Sequence, residues 1–171
     1  MTKPDSANVP PFYRGYVENV KDMDVIEALL QSSKVALQVF RGIPEDMGEY
    51  RYTEGKWSIK ELLNHMMDAE RIFAYRALRF SRNDKTNLQG FEENDYAPLA
   101  NAHGRTVAQL TDEMDRLRLT TIDLYKSFTP AMLKREGQAN NSKVSVLNLG
   151  YIIAGHETHH RKIIVERYLK E

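Results

Sequence analysis

Apolar side chains recur along much of the chain at intervals of three and four residues, the spacing that places them on one face of an α-helix. The pattern predicts a first helix over residues 20–40, which a glycine and a proline shortly afterwards bring to an end. A second helix is predicted over residues 58–82, where Ser58 and Glu61 have the spacing of a capping box ahead of the apolar stripe.

Two more helices follow the same pattern. Thr106 and Gln109 repeat the capping-box spacing and predict a third helix to about residue 128, after which a Thr-Pro pair favours a short helical turn. The fourth helix is predicted over residues 145–169. No alternating pattern is long enough for a larger sheet, although a short strand pair is left open within residues 137–144. The sequence therefore predicts an all-α protein, a four-helix bundle.

Length and charge narrow the classes of protein to consider. The 171 residues fit one domain, and we assign residues 1–19 to an N-terminal extension and residues 20–171 to the helical domain. Lys plus Arg and Asp plus Glu both number 24, so no basic field is available to attract nucleic acid. The prolines near the start do not fit a signal peptide, and no apolar stretch is long enough to span a membrane. We expect a cytoplasmic protein without a membrane partner, and a homodimer is left open.

Candidate chemistry lies in the histidines on the apolar stripes. His156 and His160 are four residues apart on one side of the fourth helix, and His65 lies among apolar positions of the second. Burying imidazoles costs free energy unless their nitrogens are satisfied, and a shared metal satisfies one nitrogen on each. The chain has no cysteine, so a metal would depend on imidazole or oxygen ligands. The three histidines are the predicted ligands of one divalent transition metal; the alternative is core histidines bonded to carbonyls or carboxylates.

Other interpretations of the histidines carry less weight. Residues 156–160 match the H-E-x-x-H pattern of zinc proteases, in which Glu157 would be the general base, but nothing else in the sequence indicates a protease. His159 is set aside because its neighbours one turn away indicate a wetter face of the helix. His103 lies in a long connection and is a reserve ligand only.

The levels of the histidines along their helices predict the order of the bundle. His65 is near the start of the second helix, whereas His156 and His160 are nearer the end of the fourth, so an antiparallel pair matches them better. That arrangement requires a long crossover between the second and third helices, and residues 83–105 are long enough to provide it. The prediction is an up-down-down-up bundle. Within the crossover, GFEENDYAPL is either a lid or a strap that packs its aromatic residues on the bundle.

Three segments of the sequence, KWSIKELLNHMMDAE, GFEENDY and YIIAGHETHHRKII, are similar to the DinB/YfiT-like family of bacterial metal-binding four-helix bundles. The resemblance covers about residues 20–169. It implies a divalent metal bound by one histidine of the second helix and an H-x-x-x-H pair of the last, which are His65, His156 and His160 here. Imidazole ligands suit zinc, nickel, copper or iron; we expect zinc or nickel, with iron or manganese as alternatives.

Activities in related branches of that family include transfer of bacillithiol or mycothiol, isomerisation with such a thiol, and hydrolysis. Three imidazoles leave a coordination position open, which is typical of a catalytic metal. We therefore expect metal-activated transfer of a low-molecular-weight thiol of the bacillithiol type to an electrophilic small molecule. The alternatives are a hydrolase that uses metal-bound hydroxide and a non-catalytic metal-binding stress protein.

No catalytic residue is assigned. The carboxylates nearest the histidines in sequence, together with one in the crossover, are candidates for supporting or proton-transfer groups, and ordinary solvated surface is the other interpretation. They are Asp68, Glu70, Glu157 and Asp95.

Overall fold

Four long helices form the protein in a computed structural model that describes residues 3–4 and 8–170. Three short α-helices accompany the four long ones. In chain order the α-helices of the described residues are α1 (Arg14–Glu18), α2 (Val25–Phe40), α3 (Ile59–Ser81), α4 (Glu93–Tyr96), α5 (Val107–Lys126), α6 (Pro130–Leu133) and α7 (Val146–Ile163). An antiparallel hairpin of β1 (Glu136–Ala139) and β2 (Ser142–Ser145) lies between α6 and α7. The predicted all-α four-helix bundle is confirmed, with α2, α3, α5 and α7 as its members.

Side-chain caps fix where the helices begin. Ser58 and Glu61 form the predicted capping box at the start of α3, and Thr106 and Gln109 form the one at the start of α5. In each box the side chains accept hydrogen bonds from backbone N–H groups that have no partner within the helix. The short helical turn after α5 also begins as predicted, because the side chain of Thr129 accepts from the backbone of α6.

Two helix boundaries differ from the prediction. The first long helix begins at Val25 instead of residue 20, because the Asp24 carboxylate accepts hydrogen bonds from the N–H groups of Ile26 and Glu27 and so caps α2. The last helix is regular only to Ile163, after which a π-helical turn, Ile164–Tyr168, continues the chain. Apolar periodicity continues through both boundaries and therefore could not locate them.

Each of α5 and α7 packs against both α2 and α3. One apolar cluster contains the end of α2, the starts of α3 and α5, and the π-helical turn after α7. A second cluster contains the starts of α2 and α7 and the ends of α3 and α5. This grouping, together with a hydrogen bond from the Tyr168 hydroxyl to the Trp57 carbonyl (2.8 Å), agrees with the predicted antiparallel arrangement of α3 and α7.

A buried arginine lies between the two apolar clusters. Arg118 of α5 is 2% exposed and donates two hydrogen bonds to the Glu70 carboxylate (2.9 and 2.8 Å) and one to the Glu157 carboxylate (2.8 Å). It also donates to the Leu29 carbonyl and to the Ser32 hydroxyl of α2. One side chain therefore connects all four long helices, with its charge matched by two buried carboxylates.

No helix in the described part of the chain is both long and apolar enough to cross a membrane.

Candidate metal site

The three predicted histidines lie together where α3 and α7 pack. His65 is about two turns into α3, and the α7 residues His156 and His160 face it one turn apart. The Nε2 atom of His156 is 3.1 Å from that of His65 and 3.0 Å from that of His160. One ring nitrogen from each histidine lies within 4.8 Å of the other two. The three imidazoles therefore point their nitrogens at one small volume.

Burial keeps these imidazoles neutral. All three side chains are at most 9% exposed. Burial lowers the pKa of His65 to about 4, and burial, followed by the neighbouring histidines, lowers the pKa values of His156 and His160 well below the ordinary value. Near pH 7 all three rings therefore present an uncharged nitrogen, the form that binds a metal.

The donor set fits a metal better than a hydrogen-bonded cluster. A neutral imidazole nitrogen carries either one hydrogen or one lone pair in the ring plane, so Nε2 of His156 can form only one good hydrogen bond with its two neighbours. A second buried nitrogen, Nδ1 of His160, has no hydrogen-bond partner among the described residues. An ion bound by three lone pairs would resolve the crowding at Nε2, and the distances between ligand atoms are short enough for a single ion.

Acid should destabilise the metal-free protein through these rings. An unfolded chain protonates its histidines near pH 6.5, whereas folded His65 resists protonation until about pH 4, so the unfolded state binds more protons between these values. Lowering the pH from 7 to 5 should therefore reduce the free energy of unfolding by roughly 2 kcal/mol from His65 alone. Urea denaturation of chelator-treated protein at both pH values measures this. The His65→Gln variant should lose less stability over that interval; an equal loss in both proteins would contradict the assignment.

Aromatic rings surround the histidine cluster. The Trp57 ring centroid is 4.7 Å from that of His65, and the rings of Tyr16 and Phe73 lie 5.3 and 6.3 Å from that of His156. Trp57 precedes the Ser58 cap of α3, so the start of that helix positions both the ligand and its cover.

A cavity of about 380 Å³ extends from the histidines. Its walls come from the N-terminal segment, α3, the crossover, the hairpin and α7. The lining residues are Pro10, Pro11, Phe12, Tyr13, Tyr16, Trp57, His65, Ala69, Phe73, Arg76, Phe91, Glu92, Glu93, Ala139, Asn140, Ser142, Val144, Leu149, His156 and His160. In the crossover, Phe91 both lines the cavity and packs against the bundle core, whereas Tyr96 is 47% exposed. The lid remains a hypothesis.

The N-terminal segment is the part of the site that sequence analysis missed. Residues 10–16, assigned to the extension, contribute five cavity residues, and α1 packs along α7. The close approach depends on Gly155, where a Cβ would lie 2.0 Å from the carbonyl oxygen of Tyr16. The available signal was the aromatic spacing of Phe12, Tyr13 and Tyr16 ahead of the first long helix.

The remaining histidines are not part of the cluster. His159 is half-buried rather than on a wet face, since the Tyr16 ring lies 5.1 Å from its own, but its nitrogens are outside the three-histidine group. His103 lies in the crossover and pairs with Glu49 and Glu61, away from the predicted ligands. The structure therefore brings together the three predicted ligands, and His103, the reserve ligand, lies apart from them.

A sequence model of the DinB superfamily matches residues 28–164, most of the chain. The chain belongs to the DinB superfamily. A search of curated proteins gave no significant match.

Two solved structures resemble this DinB protein in fold. YfiT from Bacillus subtilis, described as a probable metal-dependent hydrolase with an unusual four-helix bundle topology, is 15% identical with a TM-score of 0.71; the match covers 97% of this chain and 91% of that one. A mycothiol-dependent maleylpyruvate isomerase is 10% identical with a TM-score of 0.64; the match covers 98% of this chain and 63% of that one. At these identities the likeness is one of fold.

The carboxylates of this DinB protein do not reproduce a protease site. Glu157, the base of the H-E-x-x-H interpretation, accepts a hydrogen bond from Arg118 on α5, and Glu70 accepts two from the same residue. Asp68 accepts from Asn64 and pairs with Arg71, and Asp95 is exposed. None of the four candidate carboxylates lines the cavity; among the described residues, the acidic side chains that do are Glu92 and Glu93.

Proposed function

We propose that His65, His156 and His160 bind one divalent transition metal, zinc or nickel, and that the loaded protein transfers a low-molecular-weight thiol to an electrophilic small molecule. The observation that carries the proposal is the convergence of three buried, neutral imidazole nitrogens at the wall of a cavity. A metal on three imidazoles retains a position for an outside ligand and lowers the pKa of a thiol or water bound there.

The chain itself supplies binding and orientation. Because it has no cysteine, the thiol must enter from solution. The rings of Trp57, Tyr16 and Phe73 exclude water from the imidazoles and provide an apolar surface for the substrate. Burial raises the pKa values of Tyr13 and Tyr16, so both hydroxyls stay protonated near neutral pH. Each can donate a hydrogen bond to an oxygen of the electrophile.

Turnover assays test this function with protein purified without an affinity tag and then either stripped of metal or loaded with zinc or nickel. With bacillithiol and a chromogenic alkyl or aryl halide, we expect a metal-dependent rate at least about 100-fold above that of the stripped protein, because metal stabilisation of a developing charge is worth several kcal/mol. The His156→Ala protein should behave like the stripped protein.

The outcomes separate the alternatives. Metal-dependent cleavage of an activated ester that does not require thiol would replace transferase by hydrolase, the class in which YfiT is described as a probable member. Stoichiometric metal binding without turnover of either substrate would contradict catalysis and favour a metal-binding module. Failure to bind zinc, nickel, iron or manganese would refute the site itself.

A further inference from the structure

Arg76 is a buried cation in the wall of the same cavity. It lies on α3, is 4% exposed and lines the cavity that the three histidines close at one side. Its Nη2 donates a hydrogen bond to the Gln89 carbonyl (3.0 Å), and its guanidinium lies 5.7 Å from the Phe73 ring centroid. Its guanidinium also acts on the hydroxyl of Tyr13, another lining residue, where it opposes the rise in pKa that burial causes.

Among the described residues, no carboxylate pairs with Arg76, in contrast to the buried Arg118. Arg118 is paired with two carboxylates at 2.8 Å. Within residues 3–4 and 8–170, no carboxylate oxygen lies within 4.0 Å of the Arg76 guanidinium. Burying a cation without a paired carboxylate is costly, and an anion that enters the cavity would offset that cost.

Unused donors at Arg76 are available to such an anion. A guanidinium has five N–H donors, and the hydrogen bond to the Gln89 carbonyl uses one of them. The rest match the two oxygens of a carboxylate, which a planar guanidinium can bind with paired hydrogen bonds.

The other charges in the cavity limit the ligand to one negative group. Glu92 and Glu93 line the cavity, and the negative charge of Glu93 contributes to raising the pKa values of Tyr13 and Tyr16. A second anionic group would therefore meet repulsion in the same space. Phe73 and Phe91 offer apolar surface for the body of the ligand.

We infer that Arg76, with the Tyr13 hydroxyl beside it, is a binding subsite for the carboxylate of a small monocarboxylic acid with an apolar body. The inference deepens the proposed function, because it names the substrate class for the same cavity, yet the subsite is built from residues other than the metal ligands. The substrate of the thiol transfer is then a small acid whose carboxylate is held at Arg76 and which has a separate electrophilic carbon bearing a halide. The sulfur–carbon bond forms as the halide departs with its electron pair, and the thiol proton is released to solvent.

The single tryptophan of the chain makes binding observable without turnover. Trp57 lines the cavity, so its fluorescence reports occupancy there. The probes are cyclohexanecarboxylate and cyclohexanecarboxamide, which have nearly the same shape, titrated into chelator-treated and zinc-loaded wild-type protein. We expect the carboxylate to bind at least about tenfold more tightly than the amide in both metal states, the preference a charged hydrogen bond provides.

Variants locate the origin of that preference. Arg76→Met should bind both probes equally, and Arg76→Lys should keep part of the preference because it retains the charge without the fork. Arg79→Met is the matched control: Arg79 is on the same helix, pairs with Asp84 and lies outside the cavity lining, so its removal should leave the preference unchanged. Circular dichroism establishes that each variant is folded.

Each outcome decides the inference. Equal binding of the two probes to wild-type apoprotein overturns it, whether or not the variants fold. A preference that requires zinc and survives in Arg76→Met places the carboxylate on the metal and also overturns it. A preference in apoprotein that fails to bind any metal would refute the proposed function and leave the Arg76 subsite standing.

Discussion

Replacing Arg118 with methionine should reduce the free energy of unfolding by about 3–5 kcal/mol, a large part of the stability of a domain this size. The loss arises because Glu70 and Glu157 would remain buried without the cation that now binds both of them. Backbone and hydroxyl acceptors on α2 would also lose their donor. Urea denaturation followed by circular dichroism measures the change.

Two further variants show whether unpaired charge is the cause. Arg41→Met removes an exposed arginine whose carboxylate partner, Asp115, lies 2.7 Å away, and should cost less than about 1 kcal/mol. Combining Arg118→Met with Glu70→Gln and Glu157→Gln removes the stranded charges and should recover part of the loss. If Arg118→Met costs no more than the Arg41 variant, the buried cluster does not stabilise the fold.

Local signals were enough to predict the bundle and the histidines. The capping boxes at Ser58 and Thr106 are short patterns whose hydrogen bonds form within one helical turn. They do not depend on tertiary contacts, and both are present in the structure. His156 and His160 are neighbours by helix geometry alone. Bringing His65 to them required the packing of α3 on α7, which apolar stripes on both helices already indicated.

The parts that depend on tertiary contacts could not be predicted in this way. Nothing in the sequence separates Arg118 from a solvated helix residue, because its hydrogen-bond partners lie on three other helices. In the structure Arg118 is buried, whereas the neighbouring Leu117 is only half-buried. The N-terminal segment reaches the cavity because Gly155 lets α1 approach, a contact between positions far apart in sequence. Arg76 is unusual only because no carboxylate in the described part of the chain pairs with it, and that could be found only from the folded structure.

Replacing His156 with alanine should abolish stoichiometric metal binding. Its Nε2 lies between those of His65 and His160 at 3.1 and 3.0 Å, so its loss leaves the other two without the nitrogen that both approach most closely. Losing a group that merely supports a ligand costs roughly 10- to 100-fold in metal affinity, and the loss of a ligand itself should cost more. Metal analysis after gel filtration, with zinc supplied in slight excess, measures the stoichiometry.

His159→Ala is the control for that experiment, because His159 is on the same helix and contacts Tyr16 but lies outside the ligand group. At a zinc concentration about 100 times the dissociation constant, binding to the folded state alone adds about 2.7 kcal/mol of stability. For a chain of this length that corresponds to a rise in Tm of roughly 5–11 °C. Wild-type and His159→Ala proteins should show the rise and His156→Ala should not, while all three retain helical circular dichroism without metal because the apolar clusters do not require the ion. A zinc-dependent rise retained by His156→Ala would remove that residue from the site.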